Sequence, residues 1–84
     1  MQTPIRVIIY FQYPISDSAQ LSNAIFETCR CQLLFLRKYS DDALIYEITP
    51  TEASSFAAIA KILMHHADRL GIKTMEQDRI MRHQ

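Results

Sequence analysis

The 84-residue chain has room for one domain, residues 1–84, and its 49% hydrophobic and 21% charged content predicts a folded protein. Nine basic residues balance nine acidic ones, so the chain as a whole carries no charge that would attract it to nucleic acid or anionic lipid. Gly71 is the only glycine, which argues against a nucleotide-binding loop, because such loops use several glycines to bring backbone N–H groups close to phosphate.

Residues 5–12, IRVIIYFQ, form the first predicted strand. β-Branched and aromatic side chains fill most positions, and Pro4 and Pro14 bound the segment. This pattern is typical of a central strand that is buried on both faces. The apolar run VIIYF is too short for a secretion signal or a membrane span. We therefore expect a cytoplasmic protein with no membrane partner, in which Cys29 and Cys31 stay reduced.

Residues 17–30 change to a helical period. The side chains that share one helical face are Leu21, Ala24, Ile25 and Thr28. Residues 16–18, with the sequence SDS, supply side chains that cap helix N-termini. Phe26 lies about 140° from Leu21 around this helix, so it is predicted to point outward.

The runs QLLFLRKY and ALIYEIT are predicted to form a β-hairpin around the polar turn SDD. Alternation along the two strands directs one set of side chains toward the helices: Leu34, Leu36, Leu44, Tyr46 and Ile48. The opposite set then points away: Leu33, Phe35, Arg37, Ile45 and Glu47. A shift of one residue in the third strand stays open, and such a shift would exchange its two faces.

Residues 50–70 form the second predicted helix. The segment TPTE supplies a start signal, with Thr49 as the cap, Pro50 at the first helical position and Glu52 completing a capping box. The apolar side chains that follow recur on one face: Phe56, Ile59, Ala60, Leu63, Ala67 and Leu70. Gly71 suits the left-handed residue that ends a helix.

Residues 72–77, IKTMEQ, form a weak last strand, and residues 78–84 are a predicted flexible tail. The element order is therefore β-α-β-β-α-β. In an α+β fold of this order, two helices pack on one face of a four-stranded antiparallel sheet, with the first and third strands central. This is the ferredoxin-like sandwich, an architecture that hosts many unrelated functions and so identifies no activity by itself.

Two pairs of residues are candidates for metal or redox chemistry, and neither has the usual spacing. Cys29 and Cys31 are one residue apart, whereas zinc and redox sites separate cysteines by two residues. We expect Cys29 to flank the buried face of the helix and Cys31 to start the next strand, both as small hydrophobic residues. His65 and His66 diverge by about 100° around a helix, with His65 toward solvent. No metal, cofactor, disulfide or catalytic residue is predicted.

The sheet face that is turned away from the helices is the predicted binding surface. On the first strand, alternation directs Ile5, Val7, Ile9 and Phe11 toward the helices, and Arg6, Ile8, Tyr10 and Gln12 away from them. The candidate contact residues are Arg6, Ile8, Tyr10, Phe35, Arg37 and Ile45. Contiguous apolar surface of this kind marks interfaces. The sequence thus favours a small binding or regulatory module that associates with protein, first of all as a homodimer.

Three alternatives stay open. The same face could bind single-stranded nucleic acid through stacked aromatic side chains, but the third strand offers Ile45 and Glu47 there, and the chain is neutral. A cofactor-independent enzyme could use a cleft at a dimer interface. The face could also have no partner at all. The sequence identifies neither the partner nor the pathway.

Overall fold

The fold is seen in a computed structural model that describes residues 4–49 and 55–78. Its elements, in chain order, are β1 Ile5–Phe11, α1 Ser18–Cys29, β2 Gln32–Ser40, β3 Ala43–Thr49, α2 Phe56–His65, α3 Ala67–Leu70 and β4 Ile72–Gln77. All strand pairings are antiparallel, and the order across the sheet is β2-β3-β1-β4. The protein is therefore α+β with a four-stranded antiparallel sheet, and β1 and β3 are its central strands, as predicted. Within the described ranges, no helix is long and apolar enough to cross a membrane.

The first helix begins and ends close to the predicted positions. Asp17 is its N-cap, and its Oδ1 accepts a hydrogen bond from the Gln20 backbone N–H at 3.1 Å, which pairs one of the orphan donors of the first turn. The helix ends at Arg30, whose φ of 58° lies in the left-handed region. Phe26 points outward, as the periodicity predicted, with 47% of its surface exposed.

The prediction of a single second helix is wrong, because the observed helical segment is divided into α2 and α3. The backbone N–H of His66 donates to the Leu63 carbonyl at 3.0 Å, which tightens the last turn of α2 and breaks the continuous helical ladder. The N-cap of α2 is Ser55, whose Oγ accepts from the Ala58 N–H at 3.3 Å, whereas Thr49 ends β3. The predicted roles of Pro50 and Glu52 lie outside the described residues.

Gly71 ends the helical segment as predicted. Its φ of 73° is left-handed, and nothing lies within 4 Å of the position that a Cβ atom would occupy. Glycine is therefore required for the backbone conformation and not for space. Of the predicted tail, the structure describes Asp78, whose N–H donates to the Arg6 carbonyl at 2.9 Å and so continues the pairing of β4 with β1.

The main core lies between the sheet and the helices. Its buried members are Val7, Ile9, Phe11, Ile25, Cys29, Cys31, Leu44, Tyr46, Ile48, Ile59, Leu63, Leu70 and Ile72. Residues of all three helices join this one cluster, so the helices share one face of the sheet. The predicted facing of β1 and β3 is confirmed by these contacts. We call the side that the helices cover the helix-covered face, and the other side the open face.

The predicted facing of β2 is inverted over its first half. Leu33 pairs with Ile48 and Phe35 pairs with Tyr46, so both lie on the helix-covered face, since paired residues share a face. Leu34 pairs with Glu47, which places it on the open face instead. The segment QLLFL is apolar on both faces, so hydrophobicity alone could not choose between the two registers.

Candidate functional site

The open face carries a small apolar cluster of its own. Ile8, Ala43 and Ile45 are buried there, and the half-buried side chains of Tyr10 and Leu36 pack against them. Ile8 is 5% exposed and Ile45 is 3% exposed, and none of the described side chains packed against them belongs to a helix. These two predicted contact residues are therefore buried in the single copy.

The exposed apolar surface lies instead on the edge strand β2. Leu34 is 56% exposed on the open face, and Tyr39 is 48% exposed. The Tyr39 ring stands edge-on to the Tyr10 ring, with 6.2 Å between their centroids. Leu34, Leu36 and Tyr39 are thus members of this surface that the sequence assignment missed.

Of the six predicted contact residues, the structure brings five together. Arg6, Ile8 and Tyr10 lie along β1 on the open face, and Arg37 and Ile45 are paired with each other on the same side. Phe35 is the exception. It lies on the helix-covered face, where its ring centroid is 5.6 Å from that of Tyr46.

The turn length could have revealed the correct facing of β2. The observed turn has two residues, Asp41 and Asp42, with Ser40 paired to Ala43, whereas the prediction used a turn of three. Counting back in twos from Ser40 puts Leu36 and Leu34 on the open face. Two bulges in β2 each add one residue to the strand. Because two added residues restore the alternation, the residues on the N-terminal side of both bulges face as this count predicts. Arg37 and Lys38, which lie between the bulges, need the structure for their placement.

Charged side chains surround the apolar cluster. The Arg6 Nη2 atom lies 3.1 Å from Glu47 Oε2, in an ion pair whose two side chains are about one-third exposed. The Tyr10 hydroxyl donates to Glu76 Oε1 at 2.7 Å, and this hydrogen bond is the main cause that raises the pKa of Tyr10 to about 12. The open face therefore combines an apolar centre with a polar edge.

The cysteines and the two adjacent histidines are not part of the apolar cluster on the open face. Cys29 ends α1 and Cys31 precedes β2, and both are buried. Burial raises the pKa of the Cys29 thiol, which disfavours the reactive thiolate. The His65 and His66 rings are edge-on, with 5.0 Å between their centroids. Across the described part of the chain, no three His, Cys, Asp or Glu side chains are grouped to hold a metal.

One solvent-open depression, of about 260 Å³, borders the open face. Its lining residues are Tyr10, Asp42, Lys73, Thr74 and Glu76. Ligand pockets are typically about 300–1,000 Å³ and enclose most of their ligand, so this depression is small and shallow for a substrate. Among its described lining residues there is no serine or cysteine that a neighbouring base could activate.

A comparison with protein-family models, curated proteins and solved structures finds no match for this chain. The functional proposal is therefore based on the geometry of the open face.

Proposed function

We propose that the protein is a small binding module that associates with a second copy of itself through the open face of its sheet. The observation that carries this proposal is the position of the exposed apolar side chains of β2. Leu34 and Tyr39 lie beside the cluster of Ile8, Ala43 and Ile45, so they extend an apolar centre that is already present. Burying this surface contributes about 25 cal/mol per Å² of apolar area.

The size of the domain favours the same conclusion. An 84-residue chain buries a smaller fraction of its surface than a larger domain does, so its core alone supports modest stability. A second copy over the open face would add a second buried layer. The Arg6–Glu47 ion pair and the side chains of Arg37 and Glu76 would then form the polar edge that interfaces usually have.

Two finer assignments belong to this proposal. We assign the topology to the ferredoxin-like class, which is supported by the central position of β1 and β3 and by the helices sharing one face. We place the protein in the cytoplasm, where the buried thiols of Cys29 and Cys31 are kept reduced.

Leu34→Glu tests the proposed surface. Leu34 is exposed, so the substitution leaves the monomer folded, but in the dimer it buries an unpaired carboxylate beside Glu47. We expect the wild-type protein to sediment as a dimer at about 100 μM and the variant to sediment as a monomer. The matched control is Ile62→Glu, which introduces the same charge at a comparably exposed aliphatic position on α2, where glutamate is a good helix former.

The control should dimerise like the wild type. A wild-type protein that stays monomeric at hundreds of micromolar contradicts the proposal. Equal loss of dimer in both variants would show that added charge, and not the open face, is responsible.

A second candidate is single-stranded nucleic acid, and a specific contact favours it. Arg37 Cζ lies 6.0 Å from the centre of the Tyr39 ring, beside Tyr10, which resembles a stacking platform with a cation at its edge. Glu47 and Glu76 on the same face oppose a phosphate backbone. This candidate predicts salt-sensitive binding of a labelled oligonucleotide, measured by fluorescence anisotropy, that Tyr39→Ala weakens. Binding that is absent at low salt excludes it.

A further inference from the structure

The open face is charge-complementary to a second copy of itself in one orientation. The clearest case is a row of four paired residues that crosses all four strands: Arg37 on β2, Ile45 on β3, Ile8 on β1 and Glu76 on β4. This central row has a cation at one edge of the sheet, two isoleucines in the middle and an anion at the other edge. Its two ends therefore have opposite charge.

Neither end is neutralised by an ion pair within the described residues. The ion pair seen there joins Arg6 to Glu47, and it does not involve Arg37 or Glu76. Arg37 lies beside the Tyr39 ring, and Glu76 accepts the Tyr10 hydroxyl. Both charges are exposed at the perimeter of the face, where a second molecule could pair with them.

We propose, on the basis of the self-association above, that two copies stack their open faces about a two-fold axis that runs parallel to the strands, between β1 and β3. Rotation about this axis reverses the order of strands and keeps the position along them. It therefore places Arg37 of one copy over Glu76 of the other, and Ile45 over Ile8. Stacked sheets lie about 10 Å apart, a gap that long side chains from both sides fill.

The two central residues of each neighbouring row fit the same axis. The row on one side contains Glu47 paired with Arg6, so the rotation places Glu47 of each copy over Arg6 of the other. The row on the other side contains Ala43 paired with Tyr10, so the rotation places each tyrosine over a small alanine. Alternation of large and small side chains lets facing layers interdigitate.

The other two-fold axis in the plane of the interface is disfavoured. An axis along the central row, perpendicular to the strands, places each strand over its own counterpart. Arg37 would then face Arg37, and Glu76 would face Glu76. Like charges held together across an interface oppose association, so the charge pattern selects the axis that is parallel to the strands.

A pair of charge reversals tests the orientation. Arg37→Glu alone and Glu76→Arg alone each create two like-charge contacts in a homodimer, and we expect each to weaken self-association by about tenfold or more. When the two variants are mixed, every contact in the heterodimer again joins opposite charges. The mixture should therefore form a heterodimer with a dissociation constant within about threefold of that of the wild-type dimer, a difference of less than ~1 kcal/mol. Native mass spectrometry separates the three dimers by mass, and sedimentation equilibrium gives their dissociation constants.

The chain offers a matched control for each reversal. Lys38→Glu makes the same charge change as Arg37→Glu, but Lys38 pairs with Leu44 and so lies on the helix-covered face. Glu27→Arg makes the same change as Glu76→Arg on the exposed surface of α1. Both controls should dimerise like the wild type. Glu76→Gln, which keeps an oxygen acceptor for Tyr10, should weaken the dimer less than Glu76→Arg does.

The outcomes separate this orientation from the association itself. If the wild type dimerises, the single reversals dimerise equally well and the mixture shows no preference, the orientation is wrong while self-association stands. If the single reversals dissociate and the mixture forms no heterodimer, the strand-parallel axis is again excluded. If the wild type is a monomer, both proposals fail. Far-ultraviolet circular dichroism shows whether each variant is folded. If a charge reversal does not fold, the neutral substitution at the same position, Arg37→Gln or Glu76→Gln, takes its place.

Discussion

The two faces of the sheet bury their residues in different ways. On the helix-covered face, Ile9 is fully buried because side chains of α1 and α2 pack over it. On the open face, Ile8 is nearly as buried, and the described side chains that pack against its cluster, Tyr10 and Leu36, belong to the sheet itself. Long side chains on adjacent strands can supply the cover, because strands are only about 4.8 Å apart.

Tyrosine hydrogen bonds on the two faces differ in their exposure to solvent. On the helix-covered face, the Tyr46 hydroxyl lies 2.8 Å from Ser22 Oγ, and this hydrogen bond joins the middle of β3 to α1. On the open face, the Tyr10 hydroxyl donates to Glu76 at 2.7 Å in an exposed position. Water competes freely for the second hydrogen bond and not for the first, so the first contributes more to stability.

The largest expected difference comes from two adjacent isoleucines. Ile9→Ala should lower the free energy of unfolding by about 3–4 kcal/mol, because it leaves a cavity between the sheet and the helices. Ile8→Ala should cost about 1–2 kcal/mol, since Tyr10 and Leu36 can settle into the space and solvent can fill the remainder. Urea denaturation at low micromolar concentration, where a weak dimer is dissociated, measures both. Equal losses would mean that the open-face cluster is packed as tightly as the main core.

A smaller difference is expected from two Tyr→Phe substitutions. Tyr46→Phe should destabilise the protein by about 1 kcal/mol, because Ser22 loses a partner in a partly buried position. Tyr10→Phe should change the stability less than Tyr46→Phe does, since the hydrogen bond to Glu76 is exposed to solvent. Thermal unfolding of both variants makes the comparison. Ser22→Ala is the control, and combining it with Tyr46→Phe should cost less than the sum of the two if the hydroxyls are coupled.

The smallest effect is a change in the titration of Tyr10. The hydrogen bond to Glu76 raises the pKa of Tyr10 from its usual value of 10.0 to about 12. Because the folded-state pKa is raised, this contact stabilises the protein fully below about pH 10 and is lost as the pH rises toward 12. Glu76→Gln should return the pKa of Tyr10 toward 10, as followed by ¹³C NMR of the tyrosine rings. An unchanged pKa in that variant would show that Glu76 is not the cause.

Strand positions and most helix ends could be predicted because they depend on local chemistry. Both Ala43–Thr49 and Ile72–Gln77 agree with the observed strands at each end. Gly71 ended the helical segment as expected, because a left-handed residue favours glycine. Arg30 also has a left-handed backbone conformation although it is not a glycine, and the sequence pattern did not predict this conformation.

The break at His66 and the start of α2 could not be predicted with the same rules. The apolar residues keep their helical spacing on both sides of His66, so the periodicity gives no sign that the helix divides there. The TPTE segment has a good capping signal, but its Thr49 is the last residue of β3, and Ser55 caps α2. A capping sequence states only where a helix can begin.

For the open face, the sequence predicted which residues of β1 and β3 share a side, because side chains alternate along a strand with a period of two. It left a shift of one residue in β3 open, and the observed pairing selects the predicted facing. It also predicted that Arg6 and Tyr10 lie on the same side of β1 as Ile8, and the observed pairing agrees. The tertiary structure decided the two-residue turn, and with it the facing of Leu34 and Phe35. It also decided the facing of Arg37 and the burial of Ile8 and Ile45. The physical reason is that an edge strand with apolar residues on both sides, and two bulges, takes its register from the strand beside it and not from its own pattern.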